Sequence, residues 1–169
     1  MPAMFDFDVL KISDVQSNDE GRDVFGFNMV RLDAHVTEIP RGPALTLSPE
    51  TSIATAIDSM RRRGRGNAVV MRTQRPLGVV CDRDILVHAC GDFDDLRAVP
   101  ISSVMVPCTN PLREDDSVGT ALRKMCAHRQ WHMPIVCGRG LFLGALDIAD
   151  LSLWLRDRLT LLSVEAALT

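Results

Sequence analysis

The sequence predicts a mixed α/β fold built from two pseudo-symmetric repeats. Each repeat runs strand, helix, strand, strand, helix, and a β-hairpin precedes the first. Three observations predict it. Residues 45–84 and 110–150 are two copies of one segment about 65 residues apart, a spacing at which similar units stack because neither buries a core alone. Within each copy the apolar period switches from helical to alternating. The chain, 169 residues with 46% hydrophobic and 24% charged side chains, is long enough for one well-packed domain or two small ones sharing a core.

Residues 4–36 read as two strands around a polar turn. Phe5, Phe7 and Val9 alternate with Asp6 and Asp8, and Val30, Leu32, Ala34 and Val36 alternate with Arg31, Asp33 and His35. The Ser, Asn, Asp and Gly residues between Gln16 and Asp23 supply the turn. Pro40-Arg41-Gly42-Pro43 then breaks regular structure, which sets the boundaries at residues 1–40 for the extension, 41–98 for the first repeat and 99–169 for the second.

In the first repeat, Leu47-Ser48-Pro49-Glu50-Thr51-Ser52-Ile53 leads into a helix with Ile53, Ile57 and Met60 on one face. In the second, Leu112-Arg113-Glu114-Asp115-Asp116-Ser117-Val118 leads into one bearing Val118, Ala121, Leu122 and Met125. Thr51 or Ser52, and Asp116 or Ser117, are candidate N-caps. Strands over Ala68–Met71 and Met133–Val136 follow. Turns at Arg75-Pro76 and Gly138-Arg139-Gly140 return the chain into Leu77-Gly78-Val79-Val80 and Leu143-Gly144-Ala145-Leu146. Asp84 and Asp150 then open short helices. The Leu-rich stretch from Leu151 to Leu168, with Trp154, has too many apolar residues for a narrow stripe and predicts a helix seeking a partner surface, either the body of the protein or, as the favoured expectation, a second copy of the chain.

A formal net charge of −3 provides no overall field for nucleic acid or anionic lipid. The local exception, Arg61-Arg62-Arg63-Gly64-Arg65, reads first as a basic helix end. With aromatics at 5% and no Tyr, a base-stacking platform is not expected, so nucleic acid is not an expected partner. No secretory signal or membrane-length apolar run is present, and five cysteines form no CxxC pair; the expected compartment is the reducing cytoplasm.

Both copies resemble the CBS domain, the cystathionine-β-synthase module that comes in tandem pairs. The resemblance rests on Met60, Val69-Val70 and Gly78-Val79-Val80-Cys81-Asp82-Arg83-Asp84 in the first copy. In the second it rests on Met125, Pro134-Ile135 and Gly144-Ala145-Leu146-Asp147-Ile148-Ala149-Asp150. It covers about residues 43–155. It implies a regulatory, non-enzymatic protein that binds an adenine nucleotide or adenosyl compound (AMP, ADP, ATP or S-adenosylmethionine) in clefts between the repeats. Such a protein signals to a partner, commonly as a homodimer, and requires no cofactor. The alternative is a ligand-free dimerisation or interaction module.

The resemblance places Asp84 and Asp150 against the ribose, whose vicinal hydroxyls suit a carboxylate's two acceptors. Capping of their helices is the competing role. Cys81 and Asp147 stand where the family has a phosphate-holding Ser or Thr. A thiol donates weakly, and a carboxylate adds like charge. Arg83 and the Arg61–Arg65 cluster would face phosphate, and the cleft of Asp84 is expected to bind more tightly than that of Asp150. Asn67, Ala68, His132 and Met133 are matched to base contacts, with Thr46 and Asn110 as further candidates. Cys126, His128, His132 and Cys137 have zinc-ligand chemistry but poor spacing, so no metal is expected. A Cys/His nucleophile among them lacks an orienting third group.

Overall fold

The structure, a computed structural model, describes residues 32–92 and 95–167. The chain divides into two compact units: Leu32–Trp154, and a second made of Met1–Arg31 with Leu155–Thr169. In the second unit the described residues are the continuation of the last helix. The first unit contains β1 (Thr46–Leu47), α1 (Ile53–Arg63), β2 (Asn67–Arg72), β3 (Arg75–Cys81), α2 (Asp82–Asp92) and β4 (Val106–Pro107). It continues with β5 (Leu112–Arg113), α3 (Val118–His128), β6 (His132–Val136) and β7 (Phe142–Asp147), and α4 (Ile148–Ala167) leads out of it.

The strands form two sheets, in the orders β1-β2-β3-β4 and β5-β6-β7. The repeat seen in the sequence reappears in the pairing. Leu47 lies beside Val70 in a parallel pair, as Leu112 lies beside Ile135. The antiparallel pairs β2–β3 and β6–β7 carry a register shift at the equivalent place, Val70/Met71 and Ile135/Val136. Parallel neighbours need a crossover, and α1 and α3 provide it. Ser52 and Ser117 are the N-caps, each accepting a hydrogen bond from the amide three residues on, Thr55 or Thr120, at 3.2 Å. The inward residues are Ile53, Ala56 and Met60 on α1, and Val118, Ala121 and Met125 on α3. Ile57, expected on the buried face, is 38% exposed, because Ala56 takes the inward position. Gly64 ends α1 in the left-handed conformation at φ 58°, and Arg129 adopts the same conformation after α3.

Three expectations change. The turn between β2 and β3 centres on Thr73-Gln74, so Arg75 and Pro76 already belong to β3. The short helix at Asp150 and the Leu-rich helix are one continuous helix of 20 residues. The hairpin over residues 4–36 lies outside the described residues except for its last positions. There, Leu32–Val36 form a turn, a single bridge from His35 to Ser117 and the start of a 3-10 turn (Val36–Glu38) instead of a strand.

The reason is where their backbone hydrogen bonds go. Leu32 and Ala34 carbonyls accept from the Gly119 and Val118 amides, which open α3 and have no partner within the helix, and Val36 donates to Asp116. The other end of the fold repeats the device. The Ile53 and Ala54 amides of α1 donate to the Val99 and Leu96 carbonyls, and Ile101, in a second 3-10 turn (Ile101–Ser103), donates to Thr51. Ile101 and Val104 are buried with Leu45, Ile53, Met60, Val70, Val80 and Ile85 in one cluster. The segment leading into each repeat therefore packs on the other, and the two halves interlock.

One polar cluster secures the second half. Asp116 Oδ2 accepts from the Arg113 amide at 2.9 Å and from Lys124 Nζ at 2.8 Å, and Lys124 also donates to the Pro111 carbonyl. Burial pushes the Asp116 carboxyl up, but these donors outweigh it and hold it below the ordinary carboxylate value. A depressed folded pKa stabilises above the unfolded value and fades as pH falls through the folded one. Asp116→Asn should cost about 1–2 kcal/mol near neutral pH, and the difference from wild type should vanish at about pH 2. Urea unfolding at both pH values tests this; an equal cost at both would remove the ionic account.

Candidate functional site

The two antiparallel pairs bring their ends together at the centre of the first unit. The register sets Asn67, at the start of β2, beside Cys81, and His132, at the start of β6, beside Asp147. Asn67 Nδ2 reaches across the repeats to Asp147 Oδ2 at 3.4 Å. His132 Nδ1 lies 2.9 Å from the same oxygen without making a hydrogen bond to it, and the contact is an ion pair only when the ring is protonated. The other Asp147 oxygen accepts from the Ala149 amide at 2.8 Å and caps the start of α4.

Beside this cluster lies a shallow hollow with about 10 Å³ of water-accessible space. Gly42, Ala44 and Leu45 form one wall, Arg65 and Asn67 line it from the first repeat, and His132, Ala145–Asp147 and Asp150 from the second. This space holds about one water molecule, so its walls must part to admit a larger ligand. Asp150 lies in the first turn of α4, and its carboxylate makes no hydrogen bond or ion pair with any described residue. A carboxylate in a strand-to-helix turn, facing a hollow with both oxygens unused, can accept two hydroxyl donors at once.

The equivalent Asp84 is engaged differently. Its Oδ2 accepts the Cys81 amide at 2.9 Å. Burial, and next the hydrogen bond to Asp84, push the Cys81 thiol up, so it stays a thiol. Arg83 is exposed on α2 and does not line the hollow; nor do Thr46, exposed on β1, or Asn110, exposed before β5. Ala68 and Met133 are 0% and 1% exposed and belong to the core. Of the candidate residues, the hollow unites Asn67, His132, Asp147 and Asp150.

Of the arginine cluster, Arg61 and Arg62 pair with Asp58 on the exposed face of α1, and Arg65 alone lines the hollow. The left-handed Gly64 turns the chain back there, with the Arg65 amide bonded to the Met60 carbonyl. The Gly42–Leu45 wall had no signal in the sequence beyond its Pro and Gly. Among the described residues no three His, Cys, Asp or Glu side chains converge as a metal site, and no helix is long and apolar enough to cross a membrane.

The family model for the CBS domain matches residues 36–90. An uncharacterised 17.7 kDa protein of Acidianus ambivalens is 30% identical over 124 residues, 72% of this chain and 73% of the relative. A CBS domain protein from Pyrobaculum aerophilum, solved in complex with AMP, is 25% identical with a TM-score of 0.61, over 69% of this chain and 89% of that one. A CBS domain protein of Thermoplasma acidophilum superposes with a TM-score of 0.66 at 20% identity, over 79% of this chain and 76% of that one. A CBS domain pair in complex with 5′-methylthioadenosine and S-adenosyl-L-methionine gives 0.65 at 17% identity, over 74% and 98%.

Proposed function

Because this chain belongs to the CBS-domain family and carries the domain as a tandem pair, we propose that it is a regulatory module. It binds an adenosyl compound in the Asp150 hollow and passes occupancy to a partner protein. The observation that carries this reading is the unpartnered Asp150 carboxylate facing a hollow shared by both repeats. Asp150 accepts the ribose hydroxyls, Ala44 and Ala145 offer apolar wall to the base, and Asn67 and His132 supply polar edges. The AMP complex of the Pyrobaculum aerophilum relative supports an adenosine-containing ligand. Interlocked halves support signalling, since a ligand touching the Gly42–Leu45 wall touches the segment that continues from the Val36–Glu38 turn packed on α3.

The engagement of Asp84 with Cys81 favours Asp150 as the stronger site, the reverse of the preference expected from Asp147 alone. Isothermal titration of AMP, ADP, ATP and S-adenosylmethionine should show Asp150→Ala weakening the best ligand by about 30-fold, equivalent to ~2 kcal/mol. Asp84→Ala should change it by less than about 3-fold. Loss in Asp84→Ala alone would move the site to the first repeat's end. The second reading, a ligand-free interaction module or homodimer, is favoured by Leu86 and Val87 on α2 and Leu153 on α4, which are 63%, 69% and 51% exposed. Absence of heat with every ligand would support that reading.

A further inference from the structure

The two sheets of the first unit end differently. In the first, β4 covers the edge of β3: Gly78 lies beside Pro107, Val79 beside Val106, and the Cys108 amide donates to the Leu77 carbonyl at 2.8 Å. In the second, β7 is the edge strand, and among the described residues no strand pairs with its free side. The sequence has a segment for that place. Arg41-Gly42-Pro43 precedes Leu47 at the spacing by which Val106-Pro107-Cys108 precedes Leu112. It does not close on β7. A hollow with about 450 Å³ of water-accessible space lies between, bordered by Ile39, Arg41–Ala44 and Phe142–Gly144. Two residues hold the segment off. Arg41 spans the gap: a Cβ added to Gly144 would stand 3.0 Å from Arg41 Nε, whereas one added to Gly78 would stand 2.7 Å from the Val106 backbone oxygen. A side chain thus covers Gly144 where a strand covers Gly78. Pro43, in the place of Cys108, has no N–H and cannot make the bond by which Cys108 holds Leu77.

An open strand edge offers main-chain donors and acceptors to an extended chain, and the side chains beside it select the sequence. This hollow is lined by apolar Ile39, Pro43, Ala44 and Phe142, with Arg41 as its one ionisable side chain. Arg41 Nη1 is held only by the Val36, Thr37 and Ile39 carbonyls, at 3.4, 3.4 and 3.2 Å. A carboxylate would exchange these long bonds to neutral acceptors for a charge-assisted pair matched to the planar guanidinium. Arg75, which makes no ion pair with a described residue, lies against Gly140 just before β7 and adds a second positive charge. We propose that the free edge of β7 is a docking site for an extended acidic segment of a partner protein. The segment adds antiparallel to β7, as β4 adds to β3, and sets a carboxylate on Arg41. Arg41 and Pro43 keep the edge free by denying it to the chain's own segment. The proposal stands apart from the Asp150 reading, since it requires no small-molecule ligand.

The probes are two short capped peptides, one alternating valine with aspartate and the other valine with lysine, titrated into the isotope-labelled full chain and followed by amide resonances. The aspartate peptide should move the signals of Leu143, Gly144 and Ala145, and the lysine peptide should bind at least about 10-fold more weakly. Arg41→Gln should bring the two affinities to within about 3-fold of each other. Arg41→Val with Pro43→Cys, which copies Val106 and Cys108, should let the segment close. The Leu143–Ala145 amides should then exchange about 10-fold or more slowly and stop responding to either peptide. No movement at β7, or equal affinity for both peptides in the wild type, overturns the proposal and leaves Arg41 as a shield over a bare edge. No gain of protection in the double variant removes the equivalence with β4, and the proposal with it.

Discussion

Ile101→Ala should lower the unfolding free energy by about 3 kcal/mol, within the ~2–5 kcal/mol range of large-to-small changes at fully buried sites. Ile101 is 0% exposed and packed with Leu45, Ile53, Ala56, Met60 and Val80. Its amide donates to the Thr51 carbonyl at 2.7 Å, which fixes the side chain over the start of α1 and leaves little freedom to refill the cavity. The position tests more than packing. Ile101 belongs in sequence to the approach to the second repeat, yet it completes the core of the first. If the halves interlock, its loss should be felt throughout the first unit as one cooperative transition. The two tryptophans, Trp131 and Trp154, both lie in the second half, and Trp154 is 8% exposed. Urea unfolding followed by their fluorescence should shift to lower denaturant together with far-ultraviolet circular dichroism. A tryptophan transition that stays at the wild-type midpoint would mean that the halves fold independently.

What could be read from the sequence was whatever repeats locally. The helix faces, the Ser52 and Ser117 caps and the paired strands follow from periods of a few residues, and the copies confirm each other position by position. The equivalence of Asp84 and Asp150 was legible for the same reason. Interlocking was not, because nothing in Val36 or Ile101 says which distant helix end accepts its segment. The alternation of Leu32, Ala34 and Val36 did predict which side is buried, but their carbonyls and amides are claimed by α3 and not by a hairpin partner. The difference between the two aspartates was equally hidden. It depends on whether a side chain folds back to accept the amide three residues before it, as Asp84 does from Cys81, or makes no such bond, as at Asp150. Arg65 was masked by company: in a run of basic residues, only the geometry after Gly64 separates the one facing the hollow from those paired with Asp58.

Gly78→Ala should cost about 2–3 kcal/mol, the upper part of the range for overpacking a tight contact. A Cβ at Gly78 would stand 2.7 Å from the Val106 carbonyl oxygen, 2.8 Å from Met105 Sδ and 3.0 Å from Met105 Cγ. Gly78 pairs with Pro107, and the neighbouring Leu77 carbonyl holds the Cys108 amide at 2.8 Å, so β4 cannot move away without losing its sheet. Moving it would also pull on Val104 and Ile101 in the core. Truncating the flexible neighbour separates the two clashes: Gly78→Ala with Met105→Ala should recover less than half of the loss, because the carbonyl remains. The equivalent Gly144 meets the Arg41 side chain at 3.0 Å, which a rotamer change relieves, and keeps only the strain of its φ of 156°. Gly144→Ala should therefore cost about 1 kcal/mol, less than Gly78→Ala. Denaturant midpoints of the two single variants decide the order, and a larger cost at Gly144 would show that backbone strain outweighs the closeness of β4 to β3.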